Sequence, residues 1–483
     1  MTAQLTPTAA GASHSAVMQV LARGVALVLM SASTAMITRQ LGEGYVNWAT
    51  VLSAIALAGV LVDPGLSPVV MRHLAVDAAG TPRTTAMLPV RLVLGTVAYV
   101  LVIGIAVATR GLAVLPLAAM MGAAVLARSV VNNATPWLQS DQRLHRATLL
   151  ETATAAIGFA ALTVCILLDL PTPVLGLVTF TAPAILLAVL VSRELTRAPS
   201  AQLPSPGPQW PKVARVVREA LPLAGAILLT AAYTRTSIAF VNAYEDDAAA
   251  SRFFFAFLFA EQTIVAGGIA AGAVLPLLAG RSRTVALLTD DVTHRLLVTV
   301  AAIGAAVAAG LIAAARLLTV VIGGPAMAGA ETYIWLMAPV AALAFPAMVL
   351  AYAFIAVGRG RWYLAFSILG LAGNLALNGL FTPELGAAAS ARITWVTEAL
   401  VLVLPLAWLA VSSAGGRRAA TRVALLLACT VGASELAAAE RLPALVLGAV
   451  LVAVVLVVAG RSVQWAARTI AAERRARGPR LSP

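Results

Sequence analysis

The sequence predicts an all-α polytopic membrane protein with about 14 transmembrane helices. Two six-helix bundles related by a parallel repeat are followed by two C-terminal helices. Three observations carry this. Of the 483 residues, 61% are hydrophobic and 11% charged, with a mean hydropathy of +0.93; no water-soluble fold hides so much apolar surface, so the bilayer must solvate most of it. The apolar runs approach the roughly 20 residues that a helix rising 1.5 Å per residue needs to cross. The short connections alternate between basic and non-basic, which orients the chain.

The elements follow in order. Span 1 covers 17–38; its leader, Met1 to Ser15, lacks a basic start and the apolar run is too long for a signal-peptide core, so it is expected to remain as a helix. Spans 2 to 6 cover 46–70, 85–108, 112–137, 147–168 and 174–194. Asp63, Pro64 and Gly65 interrupt span 2, where Asp63 would cap the break and the three residues form a candidate hinge. From Arg197 to Pro211 the Pro-rich chain is expected to be non-helical, a cytoplasmic linker at 199–212 between bundles 1–198 and 213–411. Spans 7 to 12 cover 217–242, 251–279, 293–320, 331–357, 361–381 and 387–411. The extra pair, 420–437 and 441–460 within 412–460, precedes a basic tail, 461–483.

With fourteen spans, 23 of the 33 basic residues fall on the side of the termini, 3 (Arg39, Arg110, Arg441) on the other, and 7 at membrane depth. The positive-inside rule then puts both termini in the cytoplasm. The formal charge of +13 sits in short loops beside spans, where anionic headgroups of membrane lipids explain it and nucleic acid does not. The use of 32 arginines against one lysine, with alanine throughout, has the look of a high-GC bacterial genome and suggests a bacterial inner membrane. Cys165 and Cys429 lie inside spans, and the four histidines show no ligand spacing, so neither a disulfide framework nor a metal or cofactor site is readable.

Every outside connection is short, without the loop of catalytic carboxylates that a membrane glycosyltransferase or ligase usually displays, so a transporter is expected rather than an enzyme. A repeat supports it. Thr172-Pro173-Val174-Leu175-Gly176 and Thr382-Pro383-Glu384-Leu385-Gly386 share four of five residues at an offset of 210, each string between two spans. Many transporters build two lobes that rock about a central site from such repeats; a tight turn between helices accounts for the same residues.

Further motifs resemble a family. Thr38-Arg39-Gln40-Leu41-Gly42 after span 1, then Asp63-Pro64-Gly65-Leu66, is similar to the R-x-L-G and D-x-G-L pattern of polysaccharide flippases of the multidrug/oligosaccharidyl-lipid/polysaccharide (MOP) exporter superfamily. Gly358-Arg359-Gly360-Arg361, Asn374-Leu375-Ala376-Leu377-Asn378 and Pro383 to Ala388 continue the likeness, which spans residues 17 to 411. It implies fourteen helices with the last two peripheral. Family members often carry Y-x-R-x-D in helix 7, whereas this chain reads Tyr233-Thr234-Arg235-Thr236-Ser237, so an ion-coupling role of that acid is absent or moved.

A flippase for a polyprenyl-linked oligosaccharide must hold a (pyro)phosphate away from lipid, and arginine suits it because its fork donates several hydrogen bonds and stays charged. Arg23, Arg128 and Arg235 at membrane depth are the candidate phosphate ligands. Arg128, Asn132, Thr135 and Gln139 form one stripe on helix 4, and Thr230, Tyr233, Thr234 and Ser237 share a face of helix 7, which makes Asn132 and Tyr233 candidate lumen residues. Ion pairs and interhelical hydrogen bonds are the structural alternative. Among acids at depth, Glu261 and Glu398 are the candidates for coupling to H+ or Na+. Two other functions fit the composition: a multidrug exporter of the same fold, whose lumen favours acidic and aromatic groups, and a non-transporting scaffold of envelope assembly.

Overall fold

The computed structural model describes residues 9–76, 80–141, 144–198, 205, 207–279, 290–356 and 360–476. No strand occurs among them. The helices are α1 (Ala9–Leu41), α2 (Tyr45–Gly59), α3 (Leu66–Val76), α4 (Thr84–Arg110), α5 (Leu115–Gly122), α6 (Ala124–Ser140), α7 (Leu144–Leu167), α8 (Thr172–Gly176), α9 (Ala182–Leu195), α10 (Gln209–Tyr244), α11 (Asp247–Ala279), α12 (Asp291–Leu318), α13 (Ala330–Met337), α14 (Pro339–Ala356), α15 (Gly360–Ser412), α16 (Ala414–Ala438) and α17 (Ala444–Ala476). Among the described residues, eleven stretches are long and apolar enough to cross a bilayer. Val28–Val62 takes in parts of two expected spans and Leu364–Ser412 most of two, and α10 carries the seventh, so the fourteen-span pattern is roughly accommodated.

Packing divides the chain into two compact units, Met1–Ala231 and Ala232–Pro483. In the first, α1 lies against α7, α2 against α4 and α6 against α9. Leu66, Val70, Met87 and Trp137 meet Val213 and Val216 in one apolar cluster. In the second, α12 is the central element, with α14, α16 and α17 packed on it. The last two helices share its main apolar cluster through Val423, Leu426, Val455 and Ala459. The other face of α17 leaves Leu445, Leu456 and Val457 exposed, an apolar face that suits acyl chains.

Several boundaries differ from expectation. The linker is not irregular to Pro211, because α10 begins at Gln209; a proline in the first turn loses no intrahelical bond, since those N–H groups have no partner there. α17 continues into the basic tail, whose Ala, Arg and Glu are good helix formers. Span 10 is divided before Pro339. The 53 residues of α15 would form a rod roughly 80 Å long, and the break falls at Gly386, with φ 69° and ψ −163°. The repeated five-residue string is therefore used in two ways. Thr172–Gly176 opens a helix behind Pro171, and Gly176 is closely packed: a Cβ there would lie 3.0 Å from Leu117 and 3.1 Å from Met121. Residues 382–385 instead close a helix, and Gly386 is needed for its positive φ.

Candidate functional site

In the first unit the expected break of span 2 is present. Gly65 adopts φ 74° and donates its N–H to the Asp63 carbonyl at 2.7 Å. The Asp63 carboxylate then caps α3, accepting the Ser67 N–H at 3.0 Å and the Ser67 hydroxyl. Arg91 of α4, fully buried, reaches into this cap: Nη1 lies 3.3 Å from Asp63 Oδ1 and Nη2 donates to Ser67 Oγ at 3.0 Å. Asp63, Pro64 and Gly65 thus form a helix break held by a buried ion pair. The role of Arg91 is visible only here, because its partner is on another helix.

Arg128 of α6 donates to Glu151 of α7 at 2.7 Å, and both side chains stay about half exposed, at 48% and 46%. Asn132 lies one turn further on, half-buried, while Gln139 at the end of the stripe is exposed. The stripe is the less covered side of α6; Ser129 and Asn133 face inward. The side chain of Arg23 lies outside the described residues.

In the second unit Arg235 of α10 pairs with Glu261 of α11 and stacks over the Phe257 ring, 5.3 Å from its centroid. One candidate phosphate ligand and one candidate coupling acid are thereby joined. Tyr233, on the adjoining face, is buried and donates from Oη to Glu398 Oε1 at 3.0 Å. The pair lies in a small pocket whose other walls are apolar, among them Met348, Phe354, Phe366 and Pro405. Below it is a buried polar network between α10 and the two limbs of α15. Asn378 Oδ1 accepts from Thr382 (2.9 Å) and Ser390 (2.6 Å), its Nδ2 donates to Asn374 Oδ1 (2.8 Å), and Thr394 donates to Ser237 Oγ (3.2 Å). On this face of α10, Tyr233 and Ser237 make interhelical hydrogen bonds. The network had a signal: Asn374, Asn378 and Thr382 recur every four residues, as do Ser390, Thr394 and Glu398.

Four candidates are brought together in two pairs, and Arg128 meets an acid not singled out from the sequence. Arg128 meets Glu151, Arg235 meets Glu261, and Tyr233 meets Glu398. Towards the ends of the spans, Arg316 pairs with Glu440 at 2.8 Å, and Arg392 with Glu435 at 2.9 Å. A phosphate reaching Arg128 or Arg235 would have to replace a carboxylate.

No protein-family model and no curated protein sequence matches the chain. Solved structures do. The fold is similar to that of the lipid II flippase MurJ in an inward closed conformation, with TM-score 0.65 and 10% identity over 91% of this chain and 99% of that one. It is similar to an inward-facing multidrug resistance MATE family transporter of the MOP superfamily, with TM-score 0.60 and 15% identity over 82% of this chain and 95% of the other. A MOP superfamily transporter from Pyrococcus furiosus, described as having a binding pocket of reversed polarity, gives TM-score 0.56 and 15% identity over 84% and 94%. At such identities what is shared is the fold: this is a multi-pass membrane protein with the fold of the MOP transporters.

Proposed function

We propose that the chain is a flippase that moves a polyprenyl-(pyro)phosphate-linked oligosaccharide across the bacterial inner membrane by alternating access, coupled to an ion, with both termini in the cytoplasm. The observation that carries this is the extent of the likeness. The match to the lipid II flippase takes in 91% of the chain and nearly all of the flippase. The match to the multidrug transporter takes in 82%.

The chemistry of Arg128 supports the reading. It is a half-exposed guanidinium within an apolar span, and Glu151 occupies it as a phosphate oxygen would. Arg235, buried with Glu261, is less accessible. Arg23 remains a candidate on its position in span 1.

Replacing Arg128 with glutamine removes a charge-assisted contact worth roughly 1.5–3 kcal/mol. Export of lipid-linked glycan at matched membrane abundance should fall about ten- to a hundredfold. Arg128→Lys should restore only part, because a point charge does not reproduce the fork; Arg417→Gln serves as a loop control. Full export by the Arg128, Arg235 and Arg23 glutamine variants would rule out this phosphate site. The competing function, a multidrug exporter, is favoured by the acid in an aromatic-walled pocket at Glu398; efflux of lipophilic cations without glycan flipping would select it.

A further inference from the structure

Glu398 differs from the other acids at membrane depth. Asp63, Glu151 and Glu261 each meet an arginine. Glu398 is 3% exposed, and among the described residues its only hydrogen-bond partner is the Tyr233 hydroxyl, with no cation in contact. Among the described residues no second charged side chain lines its pocket. From α10 come Tyr233 and, two residues on, Arg235, already paired with Glu261 of α11. α14 presents Ala347, Met348, Ala351 and Phe354, and the two limbs of α15 present Phe366, Val401 and Leu402. α12 and α17 reach the same aromatic cluster through Leu296 and Trp465; Arg295 lies over the Trp465 ring and is paired with Asp291.

A carboxyl group so placed is neutralised either by a bound cation or by a proton. A hard metal cation needs a shell of several oxygens. Between its apolar walls this pocket offers the carboxylate and one phenol, whose proton points at that carboxylate. That set is too small for a metal and sufficient for a proton.

We propose that Glu398 is the proton-binding site of this chain, taking a proton from hydronium to give the carboxylic acid and water, and returning it to water in the opposite step, with Tyr233 as the positioning residue. The phenol fits both states, because it donates to the carboxylate and accepts from the acid. This rests on the ion-coupled transport proposed above and names its ion. Glu261, held by Arg235, is then a structural partner.

The test is labelling by dicyclohexylcarbodiimide, which reacts with protonated carboxyls in apolar surroundings. The probe is applied to the full-length protein in nanodiscs and read by peptide mass spectrometry. Glu398 should be labelled, labelling should fall as pH rises, and sodium chloride in place of choline chloride should leave it unchanged. Tyr233→Phe should shift the midpoint while retaining labelling, which a purely structural tyrosine would not do. Protection by sodium, absence of labelling at every pH, or an unmoved midpoint in Tyr233→Phe would each overturn the proposal. The labelling needs no glycan. If labelling follows pH but proteoliposomes flip no lipid-linked glycan, the flippase reading fails and the proton site stands; if they flip it without pH-dependent labelling, the reverse holds.

Discussion

Removing Asp63 should expose the cost of the buried ion pair in the first unit. The Arg91 guanidinium is fully buried, and its Nε has no hydrogen-bond partner among the described residues. In Asp63→Ala it would lose its counter-charge as well. Breaking such a pair from one side costs about 3–5 kcal/mol, and the lost cap on Ser67 adds about 1 kcal/mol. Arg91→Met in the same background should recover most of the pair term, because an apolar side chain of similar length leaves no charge behind. The half-exposed pair Arg128–Glu151 is the internal comparison; Glu151→Gln should cost no more than about 1 kcal/mol. Reversible unfolding in mixed micelles, followed by tryptophan fluorescence, measures all three, since Trp137 is buried in the same cluster as Leu66 and Met87. A loss below about 1 kcal/mol in Asp63→Ala, or no recovery in the double variant, would refute the assignment.

What was legible in the sequence follows from what periodicity and hydropathy encode. An apolar run near 20 residues has few conformations open to it in lipid, so the spans and the break at Asp63-Pro64-Gly65 could be read directly. Positions such as Arg128 and Asn132 could be placed on one face because the helical period fixes that within an element. It does not fix which neighbour a face meets. Tyr233 and Glu398 are 165 residues apart, and nothing local joins Arg235 to Glu261. The string Thr-Pro-x-Leu-Gly marks the other limit. The four shared residues serve a helix start at Thr172 and a helix end at Thr382: at Gly176 the missing Cβ lets Leu117 and Met121 approach, whereas at Gly386 the positive φ is what is used.

Two predictions remain. Single cysteines at Asp246 and Glu384 should react with an impermeant maleimide from outside, and one at Trp210, which is 69% exposed, only after permeabilisation; Ser205 is a poor reporter because it is buried, with its hydroxyl donated to the Thr81 carbonyl. Outside labelling at Trp210 would overturn the cytoplasmic placement of the linker. The second prediction concerns the kink of α15. Gly386 holds a backbone conformation reserved for glycine, so Gly386→Ala carries about 1–3 kcal/mol of strain. Its Cβ would also press on the Glu245 carboxylate, which caps the second limb of α15 by accepting the Ala387 N–H. Adding Glu245→Ala would relieve the steric contact but remove the cap and leave the backbone strain, so the double variant should be no more stable than Gly386→Ala. A double variant that regains wild-type thermal stability would mean that the glycine serves only to make room for Glu245, and that its positive φ imposes no cost on alanine.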